Sequence, residues 1–109
     1  MPVSKKKHNQ LNDLHTIVQI LRGPKGCPWD KTQTLTSLIP CIIEEAYELV
    51  DAIESKNSQH IQEELGDVLW YISNLCTELN FNLEDVALLN LEKLKLRAEK
   101  GKISGSGDD

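Results

Sequence analysis

The sequence predicts an all-α protein, a bundle of four helices joined by short loops. Apolar residues recur every three or four positions in four separate segments, which is the periodicity of an amphipathic helix. Glycine, proline and asparagine lie between those segments, and no segment alternates polar and apolar residues as a strand does. A length of 109 residues suits one small domain and excludes a two-domain enzyme with a separate lid.

The first predicted helix follows a basic arm at residues 1–8. Its apolar stripe has helical spacing and consists of Leu11, Leu14, Ile17, Val18 and Leu21. Gly23-Pro24 is expected to stop this helix, because neither residue continues a helix well. The following segment, Lys25 to Asp30, is rich in turn-forming residues and predicts a loop.

The second predicted helix begins near Thr34, whose side chain is a suitable N-cap. Pro40 predicts a kink, or a short leading helix before the main segment from Cys41 to Ser55. The main segment has one apolar arc, which we expect to face the core. That arc consists of Ile42, Ile43, Ala46, Tyr47, Leu49, Val50 and Ile53.

Two further helices complete the predicted bundle. Ser58 is the predicted N-cap of the third helix, which runs to about Leu79. Asn82 is the predicted N-cap of the fourth, which runs to about Lys100. The domain is therefore expected to span residues 9–100, followed by a flexible Gly/Ser-rich tail at 101–109.

The charges are distributed unevenly along the chain. The net charge is −5, which disfavours general nucleic-acid binding. Between Thr32 and Glu92 there are 12 acidic residues and a single basic one, Lys56, so that stretch carries −11. The remainder carries 11 basic and 5 acidic residues, or +6. The chain is thus an acidic middle held between two basic ends.

The sequence lacks the features that are typical of several classes of protein. Three cysteines without a Cys-x-x-Cys pair argue against a disulfide framework or a structural zinc and favour a reducing compartment. No apolar run approaches the ~18 residues that a membrane span needs. The basic start is not followed by the apolar stretch of a signal peptide. We therefore expect a cytoplasmic protein that binds neither membranes nor nucleic acid.

Four acidic residues are predicted to meet between the two middle helices. On a helical wheel, Glu45 and Glu48 border the apolar arc of one helix, and Glu64 and Asp67 border that of the next. In an antiparallel hairpin these two pairs face each other. Neither helix supplies a lysine or arginine beside them, and carboxylates at the edge of a core stay ionised only when a cation compensates them.

The ligand type predicts which cation this is. Carboxylate oxygens suit Mg²⁺ or Mn²⁺ and do not select zinc or copper. A di-iron bundle requires Glu-x-x-His, whereas the third residue after Glu45 is Glu48 and the third after Glu64 is Asp67. Because Mg²⁺ completes its shell with water and phosphates, a phosphate-containing substrate is indicated. Lys31, Lys93 and Arg97 are candidates to neutralise that phosphate.

Two motifs resemble a known family, the MazG-type nucleoside triphosphate pyrophosphohydrolases. Glu44-Glu45-Ala46-Tyr47-Glu48, followed after 15 residues by Glu64-Leu65-Gly66-Asp67, is similar to the family's EExxE…ExxD signature. The approach segment Gly26-Cys27-Pro28-Trp29-Asp30-Lys31 is also similar. The resemblance covers roughly Leu11 to Arg97.

The resemblance implies an all-α enzyme that hydrolyses NTPs or dNTPs, including non-canonical nucleotides, to the monophosphate and pyrophosphate. It implies Mg²⁺ as cofactor, held by Glu45, Glu48, Glu64 and Asp67. Lys93 and Arg97 match a nucleotide-contacting Lys/Arg pair of some members. Because fuller members duplicate the domain within one chain, a single copy implies a homodimer or a homotetramer.

The role of the approach segment and the reaction itself stay open at this point. Trp29 either stacks on the base or packs its loop against the core, and Lys31 beside it is a candidate phosphate ligand. A helical interaction or regulatory module without turnover is one alternative to the enzyme. A related all-α phosphohydrolase, such as a dUTPase or a phosphoribosyl-ATP pyrophosphatase, is the other.

Overall fold

The computed structural model describes residues 9–101, which form five helices and contain no strand. The all-α prediction is therefore confirmed. The predicted arm at 1–8 and the predicted tail, apart from Gly101, lie outside the described residues. The helices are α1 (Gln10–Leu21), α2 (Pro28–Lys31), α3 (Leu35–Ser55), α4 (Ser58–Glu78) and α5 (Leu83–Glu99).

The helix starts are set by side-chain caps. The Thr34 hydroxyl accepts a hydrogen bond from the backbone N–H of Ser37, and the Ser37 hydroxyl accepts one from the N–H of Thr34, which completes a capping box at α3. The side chain of Asn82 accepts from the N–H of Glu84 at α5. Both predicted caps are confirmed, as is the end of α1 before Gly23-Pro24.

The predicted cap of α4 is wrong by one residue. Asn57, not Ser58, has the extended backbone of an N-cap, and its Oδ1 accepts from the N–H of His60 at 3.1 Å. Ser58 is consequently the first helical residue. Asparagine and serine are equally good caps, so the sequence alone did not separate these neighbours.

Two other local predictions can be compared with the structure. α3 runs unbroken through Pro40, so of the two alternatives at this proline, a kink or a short leading helix, the leading helix is wrong. Pro40 lies in the second turn, where its missing N–H removes only one intrahelical bond, and the neighbouring Leu38 is fully buried. The predicted loop from Lys25 to Asp30 contains the start of the short helix α2, where Pro28 occupies the first turn that proline favours.

The helices pack around α4. The two-residue connection of Lys56 and Asn57 makes α3 and α4 an antiparallel hairpin, which is the most extensive helix pair of the molecule. α1 packs on α4, and α5 packs chiefly on α1. Inside this arrangement the Nδ1 atom of His15 lies 2.9 Å from the Oγ of Ser73, and both side chains are buried. No helix within residues 9–101 is long and apolar enough to cross a membrane.

The prediction that the whole apolar arc of α3 faces the core is wrong. The face of α3 toward the hairpin is narrower and repeats every three or four residues, with buried or half-buried Leu38, Cys41, Ile42, Glu45, Leu49 and Ala52. We call these residues the α3 seam. Outside the seam, Ala46 is exposed. The four large apolar residues of the arc outside the seam are exposed by half or more of their surface: Ile43, Tyr47, Val50 and Ile53. We call these four residues the α3 arc.

Candidate functional site

Three carboxylates converge between α3 and α4. Glu45, Glu48 and Glu64 each place one carboxylate oxygen so that the three oxygens lie within 4.8 Å of one another. Glu45 belongs to the α3 seam, Glu48 lies one turn further along the same helix, and Glu64 faces them from α4. We call these three residues the carboxylate cluster. The facing arrangement expected from the sequence is thus present for three of the four predicted ligands.

Two oxygens of the carboxylate cluster are shielded from solvent and have no hydrogen-bond partner. They are Oε2 of Glu45 and Oε2 of Glu64. Glu64 is the most buried member, with 9% of its surface exposed. An ionised carboxylate oxygen without water or a donor is strongly disfavoured, so these atoms require either a proton or a cation. The site therefore fits a bound metal ion.

The electrostatics of Glu45 point the same way. Burial, then the nearby charges of Glu48 and Asp67, then a hydrogen bond to Glu64 that only the protonated carboxyl group can donate, and last the charge of Glu64, raise the pKa of Glu45 from its ordinary 4.5 to about 7. Each of these contributions raises the pKa, since each penalises the ionised form. Near neutral pH this carboxyl group is only partly ionised, and a divalent cation would complete its ionisation.

Asp67 lies at the edge of this site. It follows Glu64 by three residues on α4, its side chain is exposed, and it is close enough to raise the pKa of Glu45. It is not one of the three residues whose oxygens converge. Together the four acids offer an all-oxygen ligand set of the kind that Mg²⁺ or Mn²⁺ takes, often with several retained waters.

Two neighbours of the acids were not assigned a role from the sequence. The Nε2 atom of His60 lies 3.3 Å from Oε1 of Glu64, one helical turn away. Burial, and then the Cys41 thiol and Glu45, raise the pKa of the Tyr71 phenol. Their spacing could have indicated that they neighbour the acids, since His60 precedes Glu64 by four residues and Tyr71 follows Asp67 by four.

Trp29 and Lys31 lie on α2, the short helix that precedes α3 in the chain. The indole of Trp29 is 57% exposed, which leaves it open to a ligand, and the ammonium of Lys31 donates to the carbonyl oxygen of Pro24 at 3.5 Å. Glu45 lies ten residues after Leu35, the first residue of α3, which corresponds to about 15 Å along that helix.

A buried arginine that sequence reasoning missed anchors α2. The side chain of Arg22 is 5% exposed and pairs with Glu78 of α4. Its guanidinium also donates to the carbonyl oxygen of Asp30 at 3.3 Å and to that of Gln33 at 2.9 Å. These bonds join the ends of α1 and α4 to the segment that carries Trp29. Nothing in the local pattern distinguishes Arg22 from a surface arginine.

Lys93 and Arg97, the predicted nucleotide-contacting pair, lie one turn apart on α5. Lys93 is exposed, whereas Arg97 is only 7% exposed. α5 packs chiefly on α1, whereas the carboxylate cluster lies on α3 and α4. Lys93 is the member of the pair that is accessible to solvent.

Comparison with known proteins adds a family match. The model of the MazG nucleotide pyrophosphohydrolase domain matches residues 33–101, a range that includes all four acids and the Lys93–Arg97 pair. The chain is 47% identical over 70 residues to the uncharacterized protein YabN of Bacillus subtilis, over 62% of this chain and 14% of that protein.

Several relatives carry functional names, and two of them cover three quarters or more of this chain. The chain is 45% identical over 86 residues to the nucleoside triphosphate pyrophosphohydrolase/pyrophosphatase MazG of Thermotoga maritima, over 75% of this chain and 34% of that protein. It is 39% identical over 94 residues to the nucleoside triphosphate pyrophosphohydrolase of Escherichia coli K12, over 82% of this chain and 36% of that protein. The chain thus spans about a third of the length of these two relatives. It belongs to the MazG nucleotide pyrophosphohydrolase domain family.

Proposed function

We propose that this chain hydrolyses nucleoside triphosphates to the monophosphate and pyrophosphate with Mg²⁺ or Mn²⁺ as cofactor. The observation that carries the proposal is the carboxylate cluster, with its two shielded and unpartnered oxygens. The two named relatives, both called nucleoside triphosphate pyrophosphohydrolases, support the reaction type. Deoxynucleotides and non-canonical nucleotides are included in the proposed substrate class.

In the proposed reaction, water attacks the α-phosphorus. A new phosphorus–oxygen bond forms, the bond to the bridging oxygen of the β-phosphate breaks, and pyrophosphate leaves with the electron pair. Glu45, Glu48, Glu64 and Asp67 are the proposed metal ligands. The bound cation supplies charge neutralisation for the polyphosphate and lowers the pKa of water. The protein's own contribution is to hold these four carboxylates in place on two rigid helices.

Basic and aromatic residues are assigned to the nucleotide. Lys31 and Lys93 are exposed cations suited to phosphate oxygens, and Trp29 presents an exposed ring on which a base can stack. Arg97 lies one turn after Lys93 on α5 and is assigned to the nucleotide together with it. These residues lie on α2 and α5, whereas the carboxylate cluster lies on α3 and α4. We propose that they serve the ends of an extended nucleotide or act from a second subunit.

Self-association is the second part of the proposal. The α3 arc, with Tyr47 69% exposed, is an apolar face that a monomer rarely leaves in water. A second copy of the chain is the proposed occupant of this face, giving a homodimer or a pair of dimers. We place the activity in the cytoplasm, and we assign no nucleic-acid or membrane partner.

Release of pyrophosphate from a panel of NTPs and dNTPs, with and without Mg²⁺, tests the proposed reaction. Glu48→Gln and Asp67→Asn are expected to abolish release while leaving helix content unchanged. Glu54→Gln is the matched control, because it removes the same charge from an exposed position of α3 outside the cluster. Full activity in both Glu48→Gln and Asp67→Asn would contradict the metal assignment.

The same panel separates the alternatives. Calorimetric titration with Mg²⁺ and a non-hydrolysable nucleotide that shows binding, without release of pyrophosphate from any substrate, would favour a non-catalytic interaction module. Turnover confined to dUTP would favour a dUTPase. Turnover confined to phosphoribosyl-ATP would favour that pyrophosphatase.

A further inference from the structure

His60 stands in direct contact with the most buried member of the carboxylate cluster. Its Nε2 atom lies 3.3 Å from Oε1 of Glu64, and the two residues are four positions apart on α4. The imidazole is 46% exposed and the Glu64 side chain 11% exposed. The imidazole is therefore partly in solvent, while its Nε2 atom lies beside a largely shielded carboxylate.

The two oxygens of Glu64 have different surroundings. Oε1 is the oxygen that His60 contacts, whereas Oε2 is shielded and has no hydrogen-bond partner, like Oε2 of Glu45. A carboxylate can rotate and exchange its oxygens unless one of them is held. The contact with His60 engages Oε1 and leaves Oε2 as the oxygen of Glu64 without a side-chain partner.

His60 is itself held at its backbone. Its N–H donates to Oδ1 of Asn57, the N-cap of α4, at 3.1 Å. This bond fixes the first turn of the helix, so the ring extends from a defined point toward Glu64. The cap, the imidazole and the ligand carboxylate thus form one continuous chain of contacts.

We propose that His60 is a positioning residue that orients Glu64 for metal binding, an inference that rests on the proposed function. Ligating carboxylates in metalloproteins are themselves held by outer partners, whose loss lowers metal affinity by about 10- to 100-fold. An ordinary surface pair at this spacing stabilises the helix only slightly and contributes nothing to metal affinity. A positioning residue and an ordinary surface pair therefore differ in whether their removal lowers metal affinity.

Binding of Mn²⁺ to the full-length, nucleotide-free chain, followed by electron paramagnetic resonance and calorimetry, tests this proposal. His60→Phe keeps a planar ring but removes the nitrogen, and His60→Asn is too short to reach Glu64. We expect both to raise the Mn²⁺ dissociation constant by about 10- to 100-fold. His60→Gln retains a donor that reaches one turn along the helix, and we expect it to bind within a few-fold of the unsubstituted chain.

Gln62→Phe is the matched control, since it introduces the same ring at an exposed position of α4. Its Mn²⁺ affinity and the helix content of every variant are expected to be unchanged. Equal affinities in the unsubstituted chain, His60→Phe and His60→Asn would overturn the positioning role and leave the metal site intact. His60→Gln binding as weakly as His60→Phe would overturn it too. An unsubstituted chain that binds no Mn²⁺ would overturn the proposed metal site itself.

Discussion

Glu45 is the residue at which packing and chemistry conflict most directly. It occupies a position of the α3 seam that an apolar side chain would normally fill, between Ile42 and Leu49. A carboxyl group at such a position weakens the hairpin when it ionises, because its neighbours are other acids and it is partly removed from water. The same placement makes it a strong cation ligand once deprotonated.

The metal-free protein is expected to lose stability as pH rises from about 5 to 8. The pKa of Glu45 is about 7 in the folded chain against 4.5 ordinarily, so folding favours the protonated form. That stability is fully present below the ordinary pKa and disappears as pH passes through the raised one. Thermal unfolding in EDTA across this range measures it. Glu45→Gln, which cannot ionise, should flatten the dependence, and two parallel curves would contradict the assignment.

Metal binding is expected to release a proton from the same residue. At pH 6 the carboxyl group of Glu45 is largely protonated, and a cation must displace that proton to bind it. Mg²⁺ affinity should therefore rise with pH up to about 7 and then level off. Calorimetry at pH 6 in two buffers of different ionisation enthalpy counts the protons released. An identical heat in both buffers would show that metal binding displaces no proton from Glu45.

At the scale of elements, the tight turn after α1 determines where α2 lies. A Cβ atom at Gly26 would come 2.1 Å from the carbonyl oxygen of Leu21 and 2.4 Å from that of Ile20. The N–H of Cys27 donates to the same Leu21 carbonyl at 2.9 Å. This close backbone approach, together with Arg22, holds the segment that carries Trp29 against the end of α1.

Gly26→Ala is expected to lower the free energy of unfolding by about 1–3 kcal/mol, because backbone must move to admit the methyl group. Gly66→Ala is the control. A Cβ atom there meets nothing within 4 Å, and replacing a glycine inside a helix stabilises by roughly 0.5–1 kcal/mol. Urea unfolding of both variants measures the difference. A neutral Gly26→Ala would contradict the close approach, and a Gly66→Ala variant that lost only activity would indicate a ligand near that face.

The elements could be predicted from the sequence to the extent that their determinants are local. Thr34 and Asn82 cap helices through bonds to residues two or three positions away, which spacing reveals. The converging acids were predictable for the same reason, since i, i+3 pairs on adjacent helices of a hairpin must share a face. Arg22, which binds residues 8, 11 and 56 positions away, has no such local signal.

Burial was the least predictable property, because it depends on which helix packs where. The hydrophobic periodicity of α3 indicates a wide apolar face, yet only the α3 seam is buried or half-buried. α5 likewise has apolar residues that the fold leaves exposed; Leu89, for example, is 66% exposed. A pattern in one chain does not indicate whether its apolar residues are covered by the same chain or by another copy.

The α3 arc offers the test of assembly at the scale of the whole molecule. Ile43→Glu places a charge within this apolar face, and burying an unpaired carboxylate costs several kcal/mol. We expect the subunit dissociation constant to rise by about a hundredfold or more. Sedimentation velocity over a concentration series measures it. Ile20→Glu, at an equally exposed isoleucine of α1, is the control and should leave assembly unchanged. A monomeric unsubstituted chain, or an Ile43→Glu variant that assembles normally, would show that the α3 arc is not the surface where two copies meet.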